Sequence, residues 1–77
     1  MILNIYGSTG VIGKKTLSII KKYFLNYKIN LLCAKNNIKI LANQCKEFNP
    51  THVYIDNEKK INQLRSLIPK NIKILNK

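Results

Sequence analysis

Seventy-seven residues hold at most one small domain, and a chain of this size buries only about 60% of the surface that its unfolded form exposes, so marginal stability is expected. The length excludes a dinucleotide-binding domain of ordinary size joined to a separate substrate domain, and with it a complete oxidoreductase. A formal net charge of +11, from 14 basic and 3 acidic residues, raises nucleic acid or an anionic membrane as a partner. Lys, Ile and Asn supply 37 of the 77 residues, however, which is the mark of A/T-rich codons, and the lysines fall in dispersed pairs at Lys14-Lys15, Lys21-Lys22 and Lys59-Lys60. They read as a solvated face rather than a nucleic-acid surface. No run of 18 apolar residues occurs, and the first predicted strand starts at Ile2, which leaves no space for a signal or transit segment. A cytoplasmic protein without a membrane partner is therefore expected.

The chain opens I-L-N-I-Y, a strand over residues 2–6 whose only polar interruption is Asn4. That pattern predicts a central strand, covered by helices on both faces. Behind it comes G-S-T-G-V-I-G, with glycines at 7, 10 and 13 leading into a helical pattern. Gly7 is expected to make the tight turn, Gly10 to leave room for a nucleotide, and Gly13 to let the helix pack closely on the strand. Thr9, Gly10, Val11 and Ile12 then offer main-chain N–H groups where the helix dipole favours an anion, and Thr9 adds a hydroxyl. Ser8 could stabilise the turn by bonding nearby backbone. A connecting turn with no ligand is the alternative; the strand before, the helix after and a second strand near residue 30 favour a nucleotide-type βαβ unit.

The first helix is predicted from residue 11 or 12 to 24. Residues 14, 15, 18, 21, 22 and 25 are expected on its solvated side, and Ile12, Ile19, Ile20 and Tyr23 on the other. Turn character at residues 25–28 precedes a second strand at 29–34. Asn36 or Asn37 is expected to cap a second helix running to about Phe48, with Pro50 ending it. Ile38, Leu41, Ala42 and Cys45 recur at helical spacing and should face the sheet, leaving Lys39, Asn43 and Lys46 outside. A third strand at residues 51–55, a third helix capped by Asp56 and running to about Ile68, and the start of a fourth strand at 72–75 complete the reading. The fold class is α/β: a partial Rossmann-type unit, β-α-β-α-β-α-β, with a parallel sheet.

Cys33 and Cys45 lack any C-x-x-C spacing or histidine partner, so two reduced, packed cysteines are expected, and no metal site. His52 and the acids Glu47, Asp56 and Glu58 form no defensible catalytic set, and no catalytic residue is assigned. The six aromatic residues, Tyr6, Tyr23, Phe24, Tyr27, Phe48 and Tyr54, read as core and rim.

In NAD-binding units a carboxylate at the end of the second strand accepts hydrogen bonds from the ribose hydroxyls. Here that place reads A-K-N-N, with Lys35, Asn36 and Asn37 offering one cation and two amides where a 2′-phosphate would sit. The expected cofactor is NADP(H). The alternative is that the asparagines only cap the helix and Lys35 is one more solvated lysine.

Taken together, G-S-T-G-V-I-G-K-K-T-L, A-K-N-N and Q-C-K-E-F-N-P resemble the amino-terminal region of the 1-deoxy-D-xylulose 5-phosphate reductoisomerases. The resemblance covers nearly all of this chain and about the first fifth of a full-length family member. It implies NADPH contacts at Thr9, Gly10, Val11 and Ile12 in the turn, and at Lys35, Asn36 and Asn37 after the second strand. Val11 stands where the family commonly has serine and Lys35 where it commonly has glycine, which implies an altered affinity. The family's reaction is the NADPH-dependent rearrangement and reduction of 1-deoxy-D-xylulose 5-phosphate to 2-C-methyl-D-erythritol 4-phosphate, an early step of isoprenoid synthesis. Its divalent metal (Mg or Mn), its sugar-phosphate site and its homodimer contacts are implied to lie in later, absent domains. Residues 1–77 are then the amino-terminal part of an NADPH-binding Rossmann domain, expected to bind NADPH weakly and to catalyse nothing alone. Two alternatives are a fragment of another NADP-dependent dehydrogenase sharing G-x-x-G-x-x-G, such as a semialdehyde dehydrogenase, and a small basic nucleic-acid-binding module.

Overall fold

A computed structural model describes residues 2–24 and 26–75. Strand β1 (Ile2–Tyr6) leads to helix α1 (Val11–Tyr23), strand β2 (Lys28–Ala34), helix α2 (Ile38–Phe48) and strand β3 (His52–Ile55). A 3-10 turn at Glu58–Lys60 then runs into helix α3 (Ile61–Leu67), and strand β4 (Lys73–Ile74) follows. The alternation is the one read from the sequence, with every neighbouring pair of strands parallel.

The order of strands corrects one expectation. The sheet runs β1-β2-β3-β4, so β1 is an edge strand among the described residues and not a central one. Each crossover steps the same way, and right-handed crossovers that all step one way put every helix on one face of the sheet. Burial follows that geometry. Ile5, Ile29, Leu32, Ala34, Val53 and Ile55 join Leu17, Ile20, Leu41, Ala42, Cys45 and Leu64 of the helices in a single core. On the opposite face Ile2 and Tyr6 remain 73% and 71% exposed. Among the described residues β1 thus has one covered face, with Ile2 and Tyr6 exposed on the other. A register shift between Leu3 and Asn4 makes room for Asn30 as an extra residue on β2, and Asn30 donates from its amide to the Asn4 side-chain oxygen at 3.0 Å.

Helix α1 buries Gly13, Leu17 and Ile20, a stripe at spacings of four and three. Ile12, Ile19 and Tyr23, expected on the packed side, are exposed. Ile20 and Gly13 are packed as expected; the close approach of Gly13 to the Gly7–Ser8 turn centres the buried face on Gly13, Leu17 and Ile20 and leaves Ile12 beside it exposed. Leu25, assigned to the solvated side, lies outside the described residues. Helix α2 matches its predicted face at Leu41, Ala42 and Cys45 and adds Gln44, while Ile38 is half-buried. Asn37 caps it by accepting from the Ile40 N–H at 3.1 Å, and Asn49 ends it in the left-handed region at φ 47°.

Asp56 is not the cap expected of it. Asn57 takes that role, its side-chain oxygen accepting from the Lys59 N–H at 3.1 Å, and one 3-10 turn intervenes before α3 begins. Arg65 fastens the end of α3 to the start of β4 by donating to the carbonyls of Ile72 and Pro69 at 2.8 and 2.7 Å. Among the described residues no aromatic side chain is buried in the core; Tyr27 and Phe48 pack against it, their ring centroids 6.4 Å apart. Both cysteines are free, Cys45 fully buried and Cys33 half-buried. Burial raises both thiol pKa values, that of Cys45 to about 11. Among the described residues no helix is long and apolar enough to cross a membrane.

Candidate functional site

In a parallel sheet the loops at the carboxyl ends of the strands gather along one rim, and ligands bind there. Here that rim carries the glycine turn after β1 and the segment after β2. Gly7 adopts φ +66°, a conformation that a side chain would strain, and turns the chain out of β1. The Gly10 N–H donates to the Gly7 carbonyl at 3.0 Å and closes the turn. That bond corrects part of the expected amide set: the Gly10 N–H is engaged within the turn, and Gly10 serves through the space it leaves. A Cβ on Gly13 would lie 2.2 Å from the Gly7 oxygen and 2.7 Å from Ser8 Cα, so only glycine lets α1 start this close to the turn.

The first turn of α1 contains no acidic residue, and its N-cap Gly10 makes no side-chain cap. The Val11, Ile12 and Gly13 N–H groups, which have no partner inside a helix, therefore point out of its positive end with no acidic side chain in that turn. Val11 and Ile12 are 71% and 77% exposed, so their side chains stand at the open rim. Thr9 is half-buried beside them. Ser8 is completely buried, its N–H donating to the Cys33 carbonyl of β2 at 2.9 Å.

Lys35, Asn36 and Asn37 are exposed at the end of β2, one strand across from the turn. Of the three, Asn37 is committed as the α2 cap through its side-chain oxygen. Residues far along the chain shape this segment, and the sequence pattern gave no sign of them. The Asp56 and Asn57 N–H groups donate to the Ala34 and Lys35 carbonyls at 2.9 and 3.0 Å. The Asn57 amide donates to the Asn36 side-chain oxygen at 3.1 Å, and Lys60 Nζ donates to the Asn36 carbonyl at 3.1 Å. Lys60 thereby joins Asn36, Asn37 and Lys39 around an open cleft of about 410 Å³. A second cleft, of about 340 Å³, lies between Gly7, Lys35, Tyr54 and Asp56. It links the turn to the β2 end and brings one carboxylate, Asp56, to its wall from β3.

His52 is half-buried on β3, and Glu47 of α2 forms an exposed ion pair with Lys21 of α1, whose pKa that contact raises. Among the described residues no three of the His, Cys, Asp and Glu side chains gather as metal ligands would.

The family model for 1-deoxy-D-xylulose 5-phosphate reductoisomerase matches residues 3–76. The chain belongs to this family. Relatives bearing that name include one from Thermoanaerobacter sp. (strain X514), 48% identical over 71 residues that make up 92% of this chain and 19% of the relative. A second, from Thermodesulfovibrio yellowstonii, is 44% identical over 92% of this chain and 18% of its own length. Among solved structures, the Zymomonas mobilis reductoisomerase in complex with NADPH superposes with a TM-score of 0.88 at 27% identity, over 95% of this chain and 20% of that one. A reductoisomerase in complex with NADPH, fosmidomycin and magnesium gives 0.88 at 28% identity, over 97% and 19%. The chain thus spans about a fifth of the length of the reductoisomerases it matches and corresponds to their amino-terminal part. This decides between the reductoisomerase and the other dehydrogenases that share the glycine spacing.

Proposed function

We propose that this chain binds NADPH across the carboxyl ends of its strands and is the amino-terminal part of a reductoisomerase's NADPH-binding domain. The diphosphate sits at the start of α1 on the N–H groups of Thr9, Val11 and Ile12, with the Thr9 hydroxyl as a further donor and Gly10 leaving the space. The 2′-phosphate of the adenosine sits by Lys35, Asn36 and Asn37, and Lys60 adds a second cation there. The residues fit the group: a helix start with free N–H groups and no acid meets the diphosphate, and two ammonium groups meet a dianion. When bound, NADPH supplies a hydride; this chain's residues grip the cofactor's adenosine and phosphates and leave that chemistry elsewhere.

Conversion of 1-deoxy-D-xylulose 5-phosphate, the magnesium or manganese ion, the homodimer and a cytoplasmic setting belong to the same reading, through catalytic, metal-binding and carboxy-terminal domains outside these residues. These 77 residues alone catalyse nothing. The observation that carries the reading is the placement of the uncapped α1 start and the Lys35–Asn37 segment on adjacent strand ends, in a chain of this family. The test is titration with NADPH and NADH, followed by amide resonances. Saturable shifts at Thr9, Val11, Lys35 and Asn36, with NADPH the tighter ligand, are expected. No binding by either, or equal binding by both, would overturn the reading for the isolated chain.

A further inference from the structure

Gln44 lies on α2, 36 positions beyond Ser8, yet its Nε2 donates to the Ser8 carbonyl at 2.7 Å. The side chain is only 8% exposed, its Oε1 has no partner, and the buried Ser8 hydroxyl has none either. An apolar residue would have filled this place without burying an unpaired oxygen, so the position is explained by the one bond that Gln44 makes. The opposite amide assignment would set Oε1 against the Ser8 carbonyl, two acceptors face to face, which fixes Nε2 as the donor.

The consequence lies in the next peptide group. The Ser8–Thr9 peptide is trans and planar, so its C=O and N–H point in opposite directions. Gln44 holds the C=O inward toward α2, while the preceding N–H, that of Ser8, is held by Cys33 of β2. The Thr9 N–H is thereby turned outward, toward the rim. We infer that Gln44 is a positioning residue: it aims the Thr9 N–H at the anion site and ties the glycine turn to the helix whose N-cap, Asn37, stands at the other end of the cofactor site. It touches no ligand itself. This inference rests on the NADPH reading above, but the geometry it asserts is present without ligand.

The test follows the ligand-free chain first. In Gln44→Met, which keeps the volume and removes the donor, the Ser8 N–H should lose protection from hydrogen exchange and the Thr9 amide resonance should move. The Val53 N–H, in the centre of the sheet, should stay protected. In Gln44→Glu the introduced carboxyl donates only when protonated, so the Thr9 resonance should return toward its original position as pH falls, a titration that a purely packing role would not produce. NADPH affinity should drop about tenfold in Gln44→Met, the equivalent of one lost hydrogen bond, and in Gln44→Glu it should recover at low pH. An undisturbed Ser8 and Thr9 in both variants, or a Thr9 resonance in Gln44→Glu with no pH dependence, would overturn the inference. If the unaltered chain binds no NADPH, the cofactor reading fails, while the ligand-free resonances still decide the role of Gln44.

Discussion

The two ends of the proposed cofactor site are built on different principles. At the glycine turn the backbone does the work: Gly7 takes a left-handed φ, Gly13 admits a contact that any side chain would block, and buried bonds from Gln44 and to Cys33 hold the Ser8 peptide on both sides. At the β2 end the work is done by side chains: exposed Lys35 and Asn36, and half-buried Lys60, which with Asn57 reaches Asn36 by hydrogen bonds from a segment more than twenty residues later. A site made of sterically fixed main chain tolerates almost no change and specifies little beyond an anion. One made of solvated side chains tolerates substitution and can carry the choice between cofactors.

The largest effect expected from this contrast is at Gly13. In Gly13→Ala the new Cβ would meet backbone atoms at 2.2, 2.7 and 2.9 Å, none of which can swing aside as a side-chain end would. Either α1 moves off the turn or the turn opens, at a cost of about 3 kcal/mol. In a domain of this size that lowers the melting temperature by roughly 15 °C, and the NADPH-dependent amide shifts at Thr9 and Val11 should vanish with it. A calorimetric scan reads the first and the titration the second. Unchanged stability would mean that the contact with the turn is not what fixes α1.

A smaller and different effect is expected at the other end. Lys60→Met removes the ammonium that donates to Asn36 while keeping the stem that lies along the surface. Stability should change by less than about 0.5 kcal/mol, whereas the preference for NADPH over NADH should fall about tenfold, in the range of one charge-assisted contact. The ratio of the two dissociation constants is the measurement. A substantial loss of stability without loss of preference would place Lys60 in the scaffold and not at the 2′-phosphate.

The same contrast explains what the sequence disclosed. The glycine turn was legible because its requirements are local: a positive φ at Gly7 and a missing Cβ at Gly13 leave their mark as residue types three apart, immediately after an apolar strand. An α2 cap at Asn36 or Asn37 was legible for the same reason, since cap and first turn are neighbours in the chain, and the structure gives it to Asn37. Lys60, Asn57 and Gln44 were not legible as site residues, because each reaches the site across the fold from 21 to 36 positions away. Composition also misled. An isoleucine-rich chain places apolar residues on exposed faces as well as packed ones, so Ile12 and Ile19 were expected beside Ile20 in a buried stripe that runs instead through Gly13, Leu17 and Ile20, and apolar β1 suggested a central strand where, among the described residues, the sheet has an edge.

The smallest expected effect tests whether the two ends are separable at all. Asn37 belongs to both: its side-chain oxygen caps α2, and its place beside Asn36 puts it on the wall of the β2-end cleft. Asn37→Ala removes the cap and should cost about 1 kcal/mol. Asn37→Asp keeps a capping oxygen, and adds a charge that favours the helix start but repels a phosphate. If the side chain acts only as a cap, the aspartate variant should equal or slightly exceed the original chain in melting temperature and match it in NADPH affinity. If Asn37 also faces the cofactor, as proposed, the aspartate variant should keep its stability yet bind NADPH less tightly, with NADH affected less because it lacks the 2′-phosphate. The divergence of stability from affinity in this one variant measures how far the scaffold and the site share a residue.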